Sequence, residues 1–129
     1  MKLDKNGYAP SIMVGFRAEN EYTVRHEVFG GKNRKISKEN GFWVAIYPDQ
    51  HEMIHKHPNT GLDLTLKRNA QSFYEKDHTR EEFIALIGKN YLGDEPSREE
   101  QKRLWEEHNS LHLGGAEKMF LAQEGTWVI

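Results

Sequence analysis

The sequence predicts a small α+β domain in which two short antiparallel strands and a helix bring three histidines together, with three to four further helices behind them. Three observations lead there. His26 sits in a run rich in β-branched and aromatic residues, 22–29, which favours a strand. His51 and His55 follow Pro48 at a spacing of four, which places both on one helical face one turn apart. Residues 62–112 carry apolar stripes at helical spacing, opened at two points by Ser/Thr-x-x-Glu.

Taken in order, residues 1–10 read as a polar arm punctuated by Gly7 and Pro10, and residues 11–16 as a short strand placed to pair with 22–29. Gly30 and Gly31 open a basic loop over 30–35, and residues 42–47 form the second strand of the pair. Pro48 suits the first turn of a helix because an N–H there would go unused. That helix carries His51 and His55, and Pro58 closes it. After a turn at 59–61, residues 62–75 put Leu62, Leu66, Ala70 and Phe73 on one helical face. Thr79 with Glu82 reads as a capping box, opening a helix whose Phe83, Ile84, Leu86, Ile87 and Tyr91 face the core. A linker follows over 93–97. Ser97 with Glu100 repeats the capping box, and Leu104, Trp105, His108 and Leu111 form the stripe of a charged helix running to about His112. Gly114 and Gly115 stop it, and residues 116–129 read either as a short helix plus an apolar strand or as a docking tail.

The 129 residues are enough for one domain, 1–129, organised as a histidine-bearing core over 22–58, supporting helices over 62–92, and a C-terminal helix and tail over 97–129. A net charge of −2 argues against a tight nonspecific nucleic-acid binder, whose pI usually exceeds about 9. Contact with DNA would then fall to a local basic patch. With no cysteine there are no disulfides, and a cytoplasmic setting is the default. No apolar run approaches the roughly 18 residues of a membrane span, and no signal-peptide core follows Met1.

Three neutral imidazoles make a donor set for one divalent metal ion. Such a set favours Zn, Ni, Co or Mn over Mg, which prefers oxygen ligands. Lys32, Arg34, Lys35 and Lys38 lie within seven positions beside Gly30 and Gly31, a pattern that reads as DNA-backbone contact or as a plain solvated loop. His57, just before Pro58, reads as a solvent-exposed side chain. His108 and His112 repeat the four-residue spacing without a third ligand, and read as core or surface histidines. Trp105 and Trp127 read as core side chains rather than base-stacking platforms.

Residues 25–35, Arg-His-Glu-Val-Phe-Gly-Gly-Lys-Asn-Arg-Lys, together with His51 and His55, resemble the HNH (ββα-metal) endonucleases, especially small phage-type members. The resemblance covers roughly residues 22–91, because residues 80–84 and 88–92 are similar to the helical tail of those proteins. It implies a ββα-metal core with His26 as the strand ligand and His51 and His55 as the helical ligands. It also implies Glu27 at the position of the base and Asn40 as counterpart of the central asparagine, with Asn33 a competing match. The implied activity is metal-dependent hydrolysis of DNA phosphodiester bonds in the cytoplasm of a bacterial host cell, with Lys32, Arg34, Lys35 and Lys38 on the DNA.

The chain departs from that family in two ways. It lacks the paired cysteines of a structural zinc knuckle, and Tyr47 and Gln50 stand at the sulfur positions. It also has Glu27 where many HNH enzymes place a histidine; a carboxylate, with a pKa of about 4.3, is the weaker base unless burial raises it. These departures keep a second reading open. It is a nuclease-derived protein that grips DNA, or a host or phage protein, for instance as inhibitor of a defence protein, through Glu99, Glu100, Glu106 and Glu107 in the 97–129 region. A structural or dimerising role for that region is a third.

Overall fold

The computed structural model describes residues 3–109, and within them the protein is α+β, with one two-stranded antiparallel sheet and five α-helices. Strand β1 (Val24–Glu27) pairs with β2 (Trp43–Ile46) in the register Val24↔Ile46, Arg25↔Ala45, His26↔Val44, Glu27↔Trp43. All four residues of β2 are buried, as a strand covered on both faces must be.

The connection between the strands is not the basic loop expected over 30–35. A single 3₁₀ turn at Gly31–Asn33 runs into helix α1 (Arg34–Asn40). Arg34, Lys35, Lys38 and Glu39 have straight side chains that lose little in a helix, and Gly41 ends α1 in the left-handed conformation (φ 75°), its N–H bonded to the Ser37 carbonyl. A Cβ on Gly41 would lie 2.3 Å from the Pro10 carbonyl oxygen, so the residue is required for close approach as well as for its φ. Ser37 fastens α1 to the end of β1. Its buried hydroxyl donates to the Phe29 carbonyl (2.7 Å) and accepts from the Phe29 N–H (3.0 Å).

The strand expected over 11–16 is also absent. Ser11 Oγ donates to the Trp43 carbonyl (2.6 Å) and Ile12 N–H to the Gly41 carbonyl (3.0 Å), so this segment lies along β2 through isolated bonds. Pro10 has no N–H to give a ladder, and Gly15 (φ 85°) turns the chain away.

Helix α2 (Pro48–Lys56) begins with Pro48 at its first position and ends before Pro58, as the sequence predicts. A clasp closes its entrance. The Arg17 guanidinium lies 4.5 Å from the centre of the Tyr47 ring and donates to Gln50 Oε1 (3.0 Å), which also accepts the Tyr47 N–H (3.0 Å). Helix α3 (Gly61–Tyr74) buries Leu66 and Ala70 in one cluster with Ile46, Ile54, Phe42 and Phe83, while Phe73 is buried outside that cluster, and the rings of Phe29, Phe42 and Phe83 meet edge to face. Helix α4 (Arg80–Ile87) carries the expected capping box: Thr79 Oγ accepts from Glu82 N, and Glu82 Oε1 from Thr79 N. Phe83 and Ile87, four apart, reach the core; Ile84, a further 100° round the helix, is exposed. Helix α5 (Arg98–Asn109) is moored to α3 by Arg98, which donates to the carbonyl and hydroxyl of Ser72. Leu104, expected to be part of an apolar stripe, is exposed on α5. Leu111, His112, Trp127 and the tail over 116–129 lie outside the described residues. No helix among the described residues is long and apolar enough to cross a membrane.

Candidate metal centre

His26 and the histidines of α2 converge because β1 and α2 flank one cleft. Strand periodicity turns His26 inward, leaving it 6% exposed, and the four-residue spacing stacks His51 and His55 on the facing side of α2. One ring nitrogen from each of the three lies within 4.8 Å of the others. The Nε2 atoms of His51 and His55 are 3.1 Å apart, and the His26 ring centre is 5.2 Å and 6.2 Å from theirs. Two nitrogens bound at about 2.0–2.1 Å to one tetrahedral ion stand about 3.3 Å apart, so these three need only small side-chain rotations to share one. His26 Nε2 is buried without a hydrogen-bond partner, as a nitrogen kept for a ligand would be. The group can therefore hold a metal ion.

The electrostatics favour the neutral, ligating form. Burial first, then the neighbouring His51, pushes the His26 pKa down to about 4, against a smaller opposing pull from Asp63. Burial and His55 lower His51 as well. A bound cation would not have to displace a proton from His26 at neutral pH.

The cleft has a volume of about 450 Å³, and its walls include Gly30, Gly31, Arg34, Asp63 and Lys67 besides the histidines. Glu27, the last residue of β1, borders it with both carboxylate oxygens engaged: Oε2 accepts from the Tyr8 hydroxyl (2.7 Å) and Oε1 from Arg34 Nε (2.7 Å). Burial raises the Glu27 pKa, but the Tyr8 and Arg34 donors outweigh it and hold the group below the ordinary carboxylate value. Tyr8 is pushed up to about 12, by burial and then by its bond to Glu27.

The other sequence-predicted residues are spread more widely. Asn40, the last residue of α1, donates to the Ile36 carbonyl (2.9 Å) and does not line the cleft. Asn33 donates to the Ile87 carbonyl (2.9 Å), tying the start of α1 to the end of α4. Of the four basic residues, Arg34 alone reaches the cleft wall. Lys32 and Lys35 are exposed, and the Lys38 ammonium sits 4.7 Å from the centre of the Tyr8 ring. His57 is exposed, as expected.

Sequence reasoning missed Asp63 and Lys67, an i,i+4 ion pair on α3 (2.9 Å) inside the cleft. The signal was present: charges at 63 and 67 interleave with the apolar stripe of Leu62, Leu66 and Ala70, so they face inward rather than to solvent. In sequence Tyr8 belongs to the polar arm, and nothing local marks it as a partner of Glu27. Comparison with protein-family models, with curated proteins and with solved structures finds no match to this chain.

Proposed function

We propose that the protein is a metal-dependent HNH-type endonuclease that hydrolyses DNA phosphodiester bonds, with one divalent ion held by His26, His51 and His55. The observation that carries this reading is the convergence of three imidazoles, from a strand and the helix after its partner strand, in an open cleft where His26 Nε2 has no other partner. The antiparallel pair β1–β2 followed directly by α2 is compatible with the ββα-metal arrangement that the sequence resembles, although a 3₁₀ turn and helix α1 stand between the two strands, and it supports the same reading. When bound, an ion at this place supplies positive charge for the scissile phosphate and the departing oxygen. His26 is held neutral by its burial and orients its free nitrogen into the cleft. Arg34, 69% exposed and on the cleft wall, holds Glu27 through Nε and has its terminal nitrogens to offer a phosphate oxygen. Glu27 is the base candidate and must give up one of its two donors to take a proton from water.

That last requirement favours one alternative, a binding protein with little or no catalytic power, which keeps the cleft and grips DNA or another protein. Incubation of supercoiled plasmid with the protein and manganese, nickel, zinc or magnesium separates the two. Nicking that EDTA and His51→Ala both abolish is the expected result. A protein that binds metal but leaves the plasmid supercoiled in all four ions is the binding protein.

A further inference from the structure

The cleft holds three cations, and they are held in different ways. Arg25 is spent: it pairs with Asp4 (2.9 Å) and Glu19 (2.8 Å), and its guanidinium lies over the rings of Tyr8 and Trp43. Arg34 is exposed and tied to Glu27 by a single nitrogen. Lys67 differs from both, with a side chain only 14% exposed.

The Lys67 ammonium closes a ring of three bonds. It donates to Asp63 Oδ2 (2.9 Å) and to Asn59 Oδ1 (2.9 Å), while the Asn59 N–H donates to the same Asp63 oxygen (2.6 Å). Asn59 can close that ring because it takes the left-handed conformation, φ 59°, which asparagine tolerates better than other residues with a Cβ. The ring occupies the α2–α3 turn and the first two turns of α3, so it moves with the helix rather than as a free surface chain. Two of the three ammonium N–H groups are used within it; the ammonium also lies 5.8 Å from the centre of the Tyr91 ring, at the outer limit of a cation–π contact, which leaves one N–H for an anion.

We propose that Lys67 is the fixed cation of the histidine cleft, donating to a non-bridging oxygen of a phosphodiester, with Asp63 and Asn59 as its positioning residues. This rests on the phosphodiester reading above and adds a substrate-binding residue to it. A lysine already immobilised loses little rotamer entropy when an anion arrives, and its partial burial spares the charge from screening. A plain helix-surface pair would need neither the burial of Asp63 (3% exposed) nor a third member on the preceding turn.

The test is titration of the nickel-loaded protein with a thymidine dinucleotide, whose one phosphodiester is its sole anionic group, followed by equilibrium dialysis. Lys67→Gln keeps an amide to bond Asp63 and Asn59 but removes the charge. Asp63→Asn combined with Lys67→Met removes both charges, so that no carboxylate is left buried alone. Both should weaken the dinucleotide about ten- to a hundredfold, the loss of one charge-assisted hydrogen bond, while nickel affinity by calorimetry changes less than about twofold. Unchanged dinucleotide affinity in a folded variant overturns the proposal, as does failure of the wild-type protein to bind at millimolar dinucleotide. If the histidines bind no nickel, the metal reading fails separately, and the same titration in EDTA still decides the role of Lys67.

Discussion

Replacing His26 with leucine should stabilise the metal-free protein and remove its response to metal. His26 is 6% exposed and its Nε2 has no hydrogen-bond partner. An unsatisfied buried polar atom costs about 1–3 kcal/mol, so an apolar side chain of similar volume should recover that amount at pH 7. Lower pH should widen the gap. The His26 pKa is depressed from 6.5 to about 4, so as pH falls through 6.5 the unfolded chain takes up a proton that the folded protein refuses until near pH 4. The folded state therefore loses stability across that window, by about 2 kcal/mol at pH 5 from this one group, and His26→Leu lacks the loss. The assay is urea unfolding by circular dichroism in EDTA at pH 7 and pH 5, then with nickel at pH 7. The wild-type protein should gain about 2.7 kcal/mol when free nickel is a hundredfold above its dissociation constant, and the variant should gain far less. A His26→Leu protein that is less stable than wild type in EDTA would refute the reasoning, because His26 would then be a structural hydrogen-bonding residue.

Two further substitutions probe the frame around the cleft. Gly41→Ala should cost about 3 kcal/mol or more, the sum of a left-handed residue with a Cβ and a backbone segment forced off Gly41 at the Pro10 carbonyl, and equilibrium unfolding measures it. Arg80→Met should cost about 3–5 kcal/mol, since the Glu75 side chain is 1% exposed and meets Arg80 through both of its oxygens. Arg103→Ala is the matching control. Its contacts with Glu100 and Glu107 are exposed and long (3.7 and 3.9 Å), and its loss should shift the midpoint little.

Much of the frame was legible because local chemistry and tertiary structure agree. Pro48 marks the first turn of α2, Thr79 and Glu82 cap α4, and the β-branched and aromatic runs become β1 and β2. The histidine group was legible for the same reason, since strand alternation and a four-residue helical step both survive folding. Helix α1 was hidden by its glycines. Seven residues are too few to show a helical period, and Gly30 and Gly31 made the run look like a loop, although Gly41 at its far end is a helix stop. Residues 11–16 have a strand composition, but Met13 N–H donates to Ser11 Oγ and Ile12 N–H to the Gly41 carbonyl, an arrangement with no local mark. The partners of Glu27 were hidden by distance: Tyr8 is 19 residues away and Arg34 seven, and only the fold brings both to one carboxylate.

The clasp of Arg17, Tyr47 and Gln50 at the entrance of α2 has a practical meaning for every experiment above. These side chains hold the turn with a guanidinium, an aromatic face and an amide, none of which a chelator can strip and none of which joins to its neighbour as a disulfide would. Dialysis against EDTA therefore leaves the entrance of α2 intact. Any effect of metal removal should read out in a protein whose α2 entrance is intact, and the absence of cysteine leaves the methionines as the residues most open to slow oxidation in air.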